Sequence, residues 1–272
     1  MERGEPTIRQ LVFQTGVSRH KPFTINAQDS ACPFCDRSQL PPLIKEDGDI
    51  LLVPNKYPIL KNTTPLVLIE TADCQSELSL YPRERLLRVF RMGFESWREM
   101  LADSRFRSVL FLKNHGPLSG GSLRHPHMQL IGLWDVDYQP NISLRDFSGP
   151  IIHEETGVRL TLSGEPRIGY TEFNLILADS GAFDAFCILV QKTVQYLLWR
   201  FHDGRTTSYN LFFYALGGAV YCKVMPRYAT TPVFIGYAIP QVTDNLEAVA
   251  EDFRQNCFSP EWESHLVGGA HV

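Results

Sequence analysis

Residues 113–129, Lys-Asn-His-Gly-Pro-Leu-Ser-Gly-Gly-Ser-Leu-Arg-His-Pro-His-Met-Gln, say more about fold and function than any other stretch of this chain. A turn rich in glycine and serine leads directly into a His-Pro-His-x-Gln segment. Because glycine allows a close approach of the backbone, such a turn can present N–H groups to an anion. If the next segment is extended, His125, His127 and Gln129 point to one face and Met128 and Leu130 to the other. The pattern predicts phosphoryl or nucleotidyl chemistry with a histidine nucleophile.

Composition narrows the classes of protein. The 272 residues are 44% hydrophobic and 21% charged, which is typical of a globular protein of one large domain or two small ones. A formal net charge of −4 lacks the basic patch of a nucleic-acid-binding protein. The N-terminal residues do not resemble a secretory signal, and no stretch approaches the roughly 20 apolar residues that span a bilayer. We therefore expect a cytoplasmic protein with neither a nucleic acid nor a membrane as partner.

Hydrophobic periodicity predicts the same series of elements twice. The first series has strands at 50–53 and 66–70, a helix at 81–102, and strands at 108–113 and 127–134. The second series has strands at 158–162 and 173–178, a helix at 182–201, and strands at 209–216 and 220–225, followed by a helix at 244–256. This order predicts an α+β fold that arose by tandem duplication, with antiparallel sheets and flanking helices. We place the boundary so that residues 1–145 form the first half and residues 146–272 the second.

The six cysteines are too sparse for a disulfide framework, and a reducing compartment favours metal binding. Cys32 and Cys35 form a C-x-x-C pair. A redox role would require a strand before the pair and a helix after it, whereas Pro41 and its neighbouring proline soon follow; two core cysteines are the other alternative. A structural zinc site needs two more ligands, for which Cys74 and His125 are the candidates, although Cys74 can also be a buried thiol.

A second histidine beside a metal ligand requires its own explanation. His127 shares a face with His125 but stays free, and a neutral imidazole can attack an α-phosphorus to form a phosphoramidate. The charge that develops on the oxygens needs donors, and the nearby candidates are Asn114, Gly120, Gly121, Ser122 and Gln129. The alternative is that His127 is a satisfied strand histidine. The turn lacks the Lys-Ser/Thr of a Walker A loop, and the chain has no Gly-x-Ser-x-Gly elbow.

Several motifs together resemble the galactose-1-phosphate uridylyltransferase-like family of the histidine-triad superfamily. The resemblance covers most of the chain and comprises Arg19-His20-Lys21-Pro22, Cys32-Pro33-Phe34-Cys35, Val53-Pro54-Asn55-Lys56-Tyr57-Pro58, Leu68-Ile69-Glu70-Thr71-Ala72-Asp73-Cys74, the active-site segment with Asn114, Gly116, Ser122, His125, Pro126, His127 and Gln129, and in the second half Tyr209-Asn210-Leu211-Phe212-Phe213 and Met225-Pro226-Arg227. The resemblance implies two histidine-triad-like halves, of which the second is degenerate.

The resemblance also implies roles for individual residues. Zinc would bind one structural site made by Cys32, Cys35, Cys74 and His125. A nucleotidyl group would attach to His127, with phosphate contacts from Asn114, Ser122 and Gln129. Asn55 and Arg19 would lie near the nucleoside or its phosphates. Related enzymes often pair, so the resemblance also allows a homodimer.

The chain departs from the family at two places. Many members carry a His-x-His before the Pro-Arg of the second half, where this chain has Tyr221-Cys222-Lys223. The second metal site of some transferases is therefore expected to be absent, and Lys223 becomes a candidate contact for the acceptor phosphate. Met128 replaces a small residue inside the active-site motif. These differences place the chain nearest to a divergent bacterial branch with no assigned activity.

The leading functional hypothesis is a nucleotidyltransferase or phosphorylase that acts on a nucleoside-diphosphate sugar or a related dinucleotide through a covalent nucleotidyl-histidine. If water is the acceptor, the same site is a nucleotide hydrolase of the histidine-triad type. A zinc-stabilised nucleotide-binding protein without turnover is the alternative from another class. The base, uridine or adenosine, is not determined by the sequence.

Overall fold

The structure of the protein is a computed structural model, and it describes residues 10–25 and 32–259 together with Trp262. These residues form two compact units. The first contains the described residues up to Ser76, with Arg88–Lys113 and Ser122–Ser143; the second contains Glu77–Leu87, Asn114–Gly121 and the described residues from Leu144 onward. The boundary that we drew between residues 145 and 146 stays a prediction.

The first unit is built on an antiparallel sheet with a long helix. Its strands have the order β1-β2-β3-β5-β4, and the last two residues of β4 belong to the second unit. The elements are the short helix α1 (Thr15–Ser18), β1 (Lys45–Asp47), β2 (Ile50–Pro54), β3 (Thr63–Ile69), α2 (Arg83–Ala102), β4 (Ser108–His115) and β5 (His127–Leu133).

The second unit repeats this topology. Its order is β6-β7-β8-β10-β9, so that in both units the fifth strand lies between the third and the fourth. The elements are β6 (Ile151–Glu155), β7 (Val158–Leu162), β8 (Phe173–Leu177), α3 (Phe183–Trp199), β9 (Tyr209–Leu216), β10 (Ala219–Pro226), α4 (Pro232–Tyr237) and α5 (Leu246–Cys257). The predicted α+β fold with duplicated halves is confirmed. Each half also has a leading strand, β1 or β6, that the sequence did not predict, because both are short and mostly exposed.

The helix α2 covers one face of the first sheet. Trp97 and Phe94 pack against Phe111 of β4, with ring centroids 5.7 and 5.5 Å apart. The indole N–H of Trp97 donates to the Val109 carbonyl at 3.2 Å. Gly93 lets the helix approach closely, since a Cβ there would lie 2.8 Å from the Phe111 ring. Met128 and Leu130 of β5, which the alternation placed on the face opposite His127, are fully buried.

The opposite face of the first sheet carries the candidate site. Here Leu51, Val53, Val67 and Ile69 form a buried apolar cluster, against which Phe34 and Leu40 pack. Ile69 pairs with His127 and Val67 with Gln129 across β3 and β5, which places both predicted site residues over this cluster. Within the described residues, no helix has the length and apolar character needed to cross a membrane.

Candidate active site

Four predicted ligands meet in the first unit. The sulfur atoms of Cys32, Cys35 and Cys74 and a ring nitrogen of His125 all lie within 4.8 Å of one another. Nδ1 of His125 lies 3.5 Å from the Cys32 sulfur and 3.6 Å from the Cys35 sulfur. Cys74 thus belongs to the cluster and is not an isolated buried thiol. Three thiols and one imidazole are the donor set of a closed structural zinc site, in which Zn–S bonds are about 2.3 Å long.

Hydrogen bonding prepares His125 to bind a cation. Its Nε2 lies 2.8 Å from the Thr71 carbonyl oxygen, and because a carbonyl only accepts, this nitrogen carries the proton. Nδ1 is therefore the nitrogen with the lone pair, and it faces the sulfur atoms. A backbone carbonyl that orients the ring of a histidine ligand in this way is a common feature of zinc sites.

The thiols differ in their readiness to ionise. Burial opposes ionisation of Cys32, but its contact with His125 and a hydrogen bond with the Phe34 backbone lower its pKa to about 7. Burial and the neighbouring Cys32 raise the pKa of Cys74 to about 12. Since a bound metal requires thiolates, one thiol is prepared for a cation, whereas Cys74 loses its proton only when a cation compensates the charge.

His127 begins β5 and is not part of the cysteine cluster. Its Nδ1 donates a hydrogen bond to the His125 carbonyl at 2.8 Å, so Nε2 carries the lone pair. The ring is only 7% exposed, and the edge of Phe34 packs on it with centroids 5.4 Å apart. Burial lowers the pKa of His127 to about 4, and the charges of Lys113 and Lys21 contribute to that decrease. The imidazole is therefore neutral near pH 7, as a nucleophile must be.

Gln129 and Ser122 stay in the first unit with His127 and are half-buried. The Ser122 carbonyl accepts from the backbone N–H groups of Thr24 and Ile25 at 2.8 and 3.1 Å. This pins an N-terminal segment beside the His-Pro-His motif. The Ser122 hydroxyl makes no hydrogen bond within the described part of the chain, which leaves it available to a ligand.

The glycine turn lies in the second unit. Gly116 and Gly120 have φ of +80° and +82°, a region that favours glycine. A Cβ on Gly116 would lie 2.1 Å from the Thr207 carbonyl oxygen, so no other residue fits there. The N–H of Gly121 bonds the Ser119 hydroxyl at 3.3 Å, whereas that of Gly120 has no acceptor among the described residues. The turn thus keeps at least one backbone donor for an anion.

The two residues assigned to the nucleoside lie in the first unit on exposed or half-buried loops. The Asn55 side-chain oxygen accepts from the Tyr57 N–H at 2.8 Å, which orients the amide and leaves its N–H groups for a ligand. Arg19 directly follows the helix α1 and is exposed. Their roles stay predictions.

One prediction was wrong. The ammonium of Lys223 is fully buried and donates to Glu172, Asn174, Ser163 and the Asp146 carbonyl at 2.7–3.3 Å. It is thereby saturated with internal acceptors and has no access to an acceptor phosphate. A lysine inside a strand gives no sign in the sequence of whether it faces solvent or a buried carboxylate.

Sequence reasoning also missed a buried ion pair beside the site. Lys113 donates to Glu70, and their side chains are 1% and 0% exposed. Lys113 pairs with Met128 across β4 and β5, one residue from His127. A lysine within an apolar strand, and a glutamate at the end of another, were the only signals available for this pair.

Solved structures of other proteins share this fold. The structure is similar to that of a galT-like protein from Arabidopsis thaliana, with a TM-score of 0.69 and 15% identity over 91% of this chain and 99% of that one. It is also similar to an ADP-glucose phosphorylase from Arabidopsis thaliana with bound ADP-glucose, with a TM-score of 0.68 and 15% identity over 93% and 97% of the two chains. At such identity the likeness shows the fold alone, and the predicted galT-like fold is confirmed.

The family follows from closer matches. Residues 13–136 and 139–258 match the N-terminal and C-terminal domains of DUF4931, which are described as domains of unknown function, and the chain belongs to this family. The crystal structure of a DUF4931 family protein from Bacillus cereus ATCC 10987 is 40% identical, with a TM-score of 0.72 over 79% of this chain and 98% of that one. No curated protein matches the sequence. A bacterial relative and a family of unknown function agree with the expected divergent branch.

Proposed function

We propose that this protein is a nucleotidyltransferase or phosphorylase that acts on a nucleoside-diphosphate sugar or a related nucleotide through a covalent nucleotidyl-His127. The observation that carries the proposal is the hydrogen bond from Nδ1 of His127 to the His125 carbonyl at 2.8 Å. It fixes the tautomer in which Nε2 holds the lone pair, on a ring outside the metal-ligand cluster. The galT-like fold and the solved ADP-glucose phosphorylase support the choice of substrate class.

The chemistry has two displacements. Nε2 of His127 attacks the α-phosphorus, a P–N bond forms, and the P–O bond to the sugar phosphate breaks with its electron pair on the departing oxygen. An oxygen of a second phosphate then attacks the same phosphorus, and the P–N bond breaks. The ring keeps its Nδ1 proton throughout, because the His125 carbonyl holds it. Ser122, Gln129 and the backbone at Gly120 and Gly121 are proposed as donors to the phosphate oxygens, since charge develops there in each transition state.

We also propose that zinc fills the Cys32, Cys35, Cys74 and His125 cluster. Bound zinc would act as a structural crosslink between the C-x-x-C loop, the turn after β3 and the start of β5. Because His125 offers its ring to the cluster and its carbonyl to His127, the crosslink would also fix the position of the nucleophile. Metal analysis of the purified protein is expected to give about one zinc per chain, and protein without metal would contradict this assignment.

The mass of the intact protein tests the function. After incubation with ADP-glucose or UDP-glucose, the wild type is expected to gain the mass of one nucleotidyl group, which is labile in acid and stable in base as a phosphoramidate is. The His127→Ala variant is expected to gain none. His153→Ala, a histidine of the second unit, serves as the matched control and is expected to gain the full mass.

Other outcomes would identify the alternatives. Steady release of free nucleotide from the wild type without an added phosphate acceptor would indicate the hydrolase. Nucleotide binding with neither adduct nor turnover would indicate a binding protein. An adduct that persists in His127→Ala would contradict the assignment of the nucleophile.

A further inference from the structure

A chain of hydrogen bonds in the second unit joins Arg227 to Asn114. Arg227 follows β10, and its Nη1 donates to Oδ1 of Asn210 on β9 at 3.0 Å. Nδ2 of Asn210 in turn donates to Oδ1 of Asn114 at 2.6 Å and to the Ser119 carbonyl at 3.0 Å. Asn210 is 1% exposed, so solvent does not compete for these bonds.

The donor and the acceptor of each hydrogen bond in this series are fixed. A guanidinium only donates and a carbonyl only accepts. Arg227 therefore requires the oxygen of Asn210 on its side, and Ser119 requires the nitrogen on the other. Both amide protons of Asn210 are then used, and the group of Asn114 that faces them has to be its oxygen.

The orientation of the Asn114 amide is therefore fixed. Because the oxygen of the half-buried Asn114 faces Asn210, its amide N–H groups remain for another acceptor, and they donate no hydrogen bond within the part of the chain that the structure describes. The same Asn210 also holds the Ser119 carbonyl, so it fixes the start of the Ser119–Gly121 turn. Arg227 makes no ion pair with any described carboxylate, which leaves its charge uncompensated.

We infer that Arg227, acting through Asn210, is a positioning residue that sets Asn114 as a hydrogen-bond donor to a phosphate oxygen of the substrate. This deepens the proposed function, on which the identity of the anion rests. Without Arg227 the oxygen of Asn210 loses its donor, and only the bond to the Ser119 carbonyl still orients this amide. The orientation is then held less firmly, and wherever the Asn210 amide turns over, the amide of Asn114 turns with it and points an oxygen at the phosphate, which replaces an attraction by a repulsion.

Three substitutions at one position separate polarity from charge. Arg227→Lys keeps the charge and the donor, Arg227→Gln keeps a donor without charge, and Arg227→Met keeps neither. The probe is inorganic pyrophosphate, titrated calorimetrically into the folded full-length chain, with thermal melting as a check on folding. We expect the Arg227→Lys and Arg227→Gln variants to bind pyrophosphate with an affinity within threefold of the wild type. The Arg227→Met variant is expected to bind it at least tenfold more weakly. If the Arg227→Gln variant binds pyrophosphate as weakly as the Arg227→Met variant, only the charge of Arg227 matters and the inference is overturned.

A double-mutant cycle tests whether the effect runs through Asn114. In an Asn114→Ala background, Arg227→Met is expected to change pyrophosphate affinity by less than threefold. A full tenfold loss in that background, or a wild type that does not bind pyrophosphate, would overturn the relay. Asn245→Asp, an exposed asparagine of the same unit, is the control and is expected to leave affinity unchanged. If the pyrophosphate affinities follow these expectations but no nucleotidyl adduct forms at His127, the result counts against the proposed function alone.

Discussion

The buried ammonium of Lys223 allows a quantitative prediction of stability. It donates to Glu172 at 2.8 Å, to Asn174 at 2.9 Å and to the Asp146 carbonyl at 2.7 Å, with both charged side chains 0% exposed. In Lys223→Met the shape is nearly kept, but the Glu172 carboxylate loses its cation in the protein interior. Breaking a buried pair on one side costs about 3–5 kcal/mol.

The lower end of that range is expected for Lys223→Met. One Glu172 oxygen keeps three backbone donors, the N–H groups of Arg167, Ile168 and Gly169 at 2.9–3.3 Å. The loss of unfolding free energy should therefore be about 3 kcal/mol, measured by urea denaturation at pH 7 with circular dichroism. The exposed Lys61→Met is the control and should change stability by no more than about 0.5 kcal/mol.

A second variant decides whether the unpaired charge is the cause. Lys223→Met combined with Glu172→Gln removes both charges, and we expect it to recover part of the stability, because neutralised buried pairs are often well tolerated. The reasoning from the buried charge fails if Lys223→Met lowers the unfolding free energy by less than about 1 kcal/mol. It also fails if the loss in the double variant equals the sum of the losses measured for Lys223→Met and Glu172→Gln separately.

Three further predictions follow from the geometry. Gly116→Ala is expected to lower the unfolding free energy by at least about 3 kcal/mol, because backbone strain at φ +80° adds to the clash with the Thr207 carbonyl. The control Gly217→Ala, at φ +57° in open space, should lower it by only about 1 kcal/mol. Equal losses in the two variants would refute the clash. Burial works against Asp252, yet bonds from Arg200 and Tyr196 hold its pKa below the usual 3.8, so the advantage of the wild type over Asp252→Asn should be present above pH 3.8 and disappear as the pH falls through the lowered pKa. This advantage should be about 1 kcal/mol, since the pair is partly exposed and screened, and a constant gap in unfolding free energy across the titration would contradict the pairing. Cys35→Ser should lose bound zinc and melt at a lower temperature than the wild type, while Cys222→Ser, a buried thiol outside the cluster, should keep its zinc; unchanged zinc content and melting in Cys35→Ser would remove the metal from the proposal.

Periodic pattern was enough to predict most elements of the fold. The helix α2 and the strands β5, β7 and β9 lie close to where alternation and helical spacing placed them, because each buries one continuous apolar face. The short strands β1 and β6 were missed, since exposed edge strands carry little apolar signal. The repeated order of elements likewise predicted the duplication that the shared strand order confirms.

Motif spacing also predicted which residues belong together in the cluster of three cysteines and one histidine. The C-x-x-C pair and the His-Pro-His segment name three ligands by local spacing, and Cys74 was the remaining cysteine of that half. All four lie together in the structure. Residue types and their spacing suffice to predict this cluster, because a cation with tetrahedral coordination binds only a few kinds of side chain.

The direction of each hydrogen bond was decided by the tertiary structure alone. Which nitrogen of His127 holds its proton depends on the His125 carbonyl, and which end of the Asn114 amide faces Asn210 depends on Asn210 and Arg227. Lys223 shows the same limit, since its partners come from separate strands and loops. Local sequence specifies what a side chain can donate or accept, but the partner that makes the choice comes from distant parts of the chain, and only folding brings it within 3 Å.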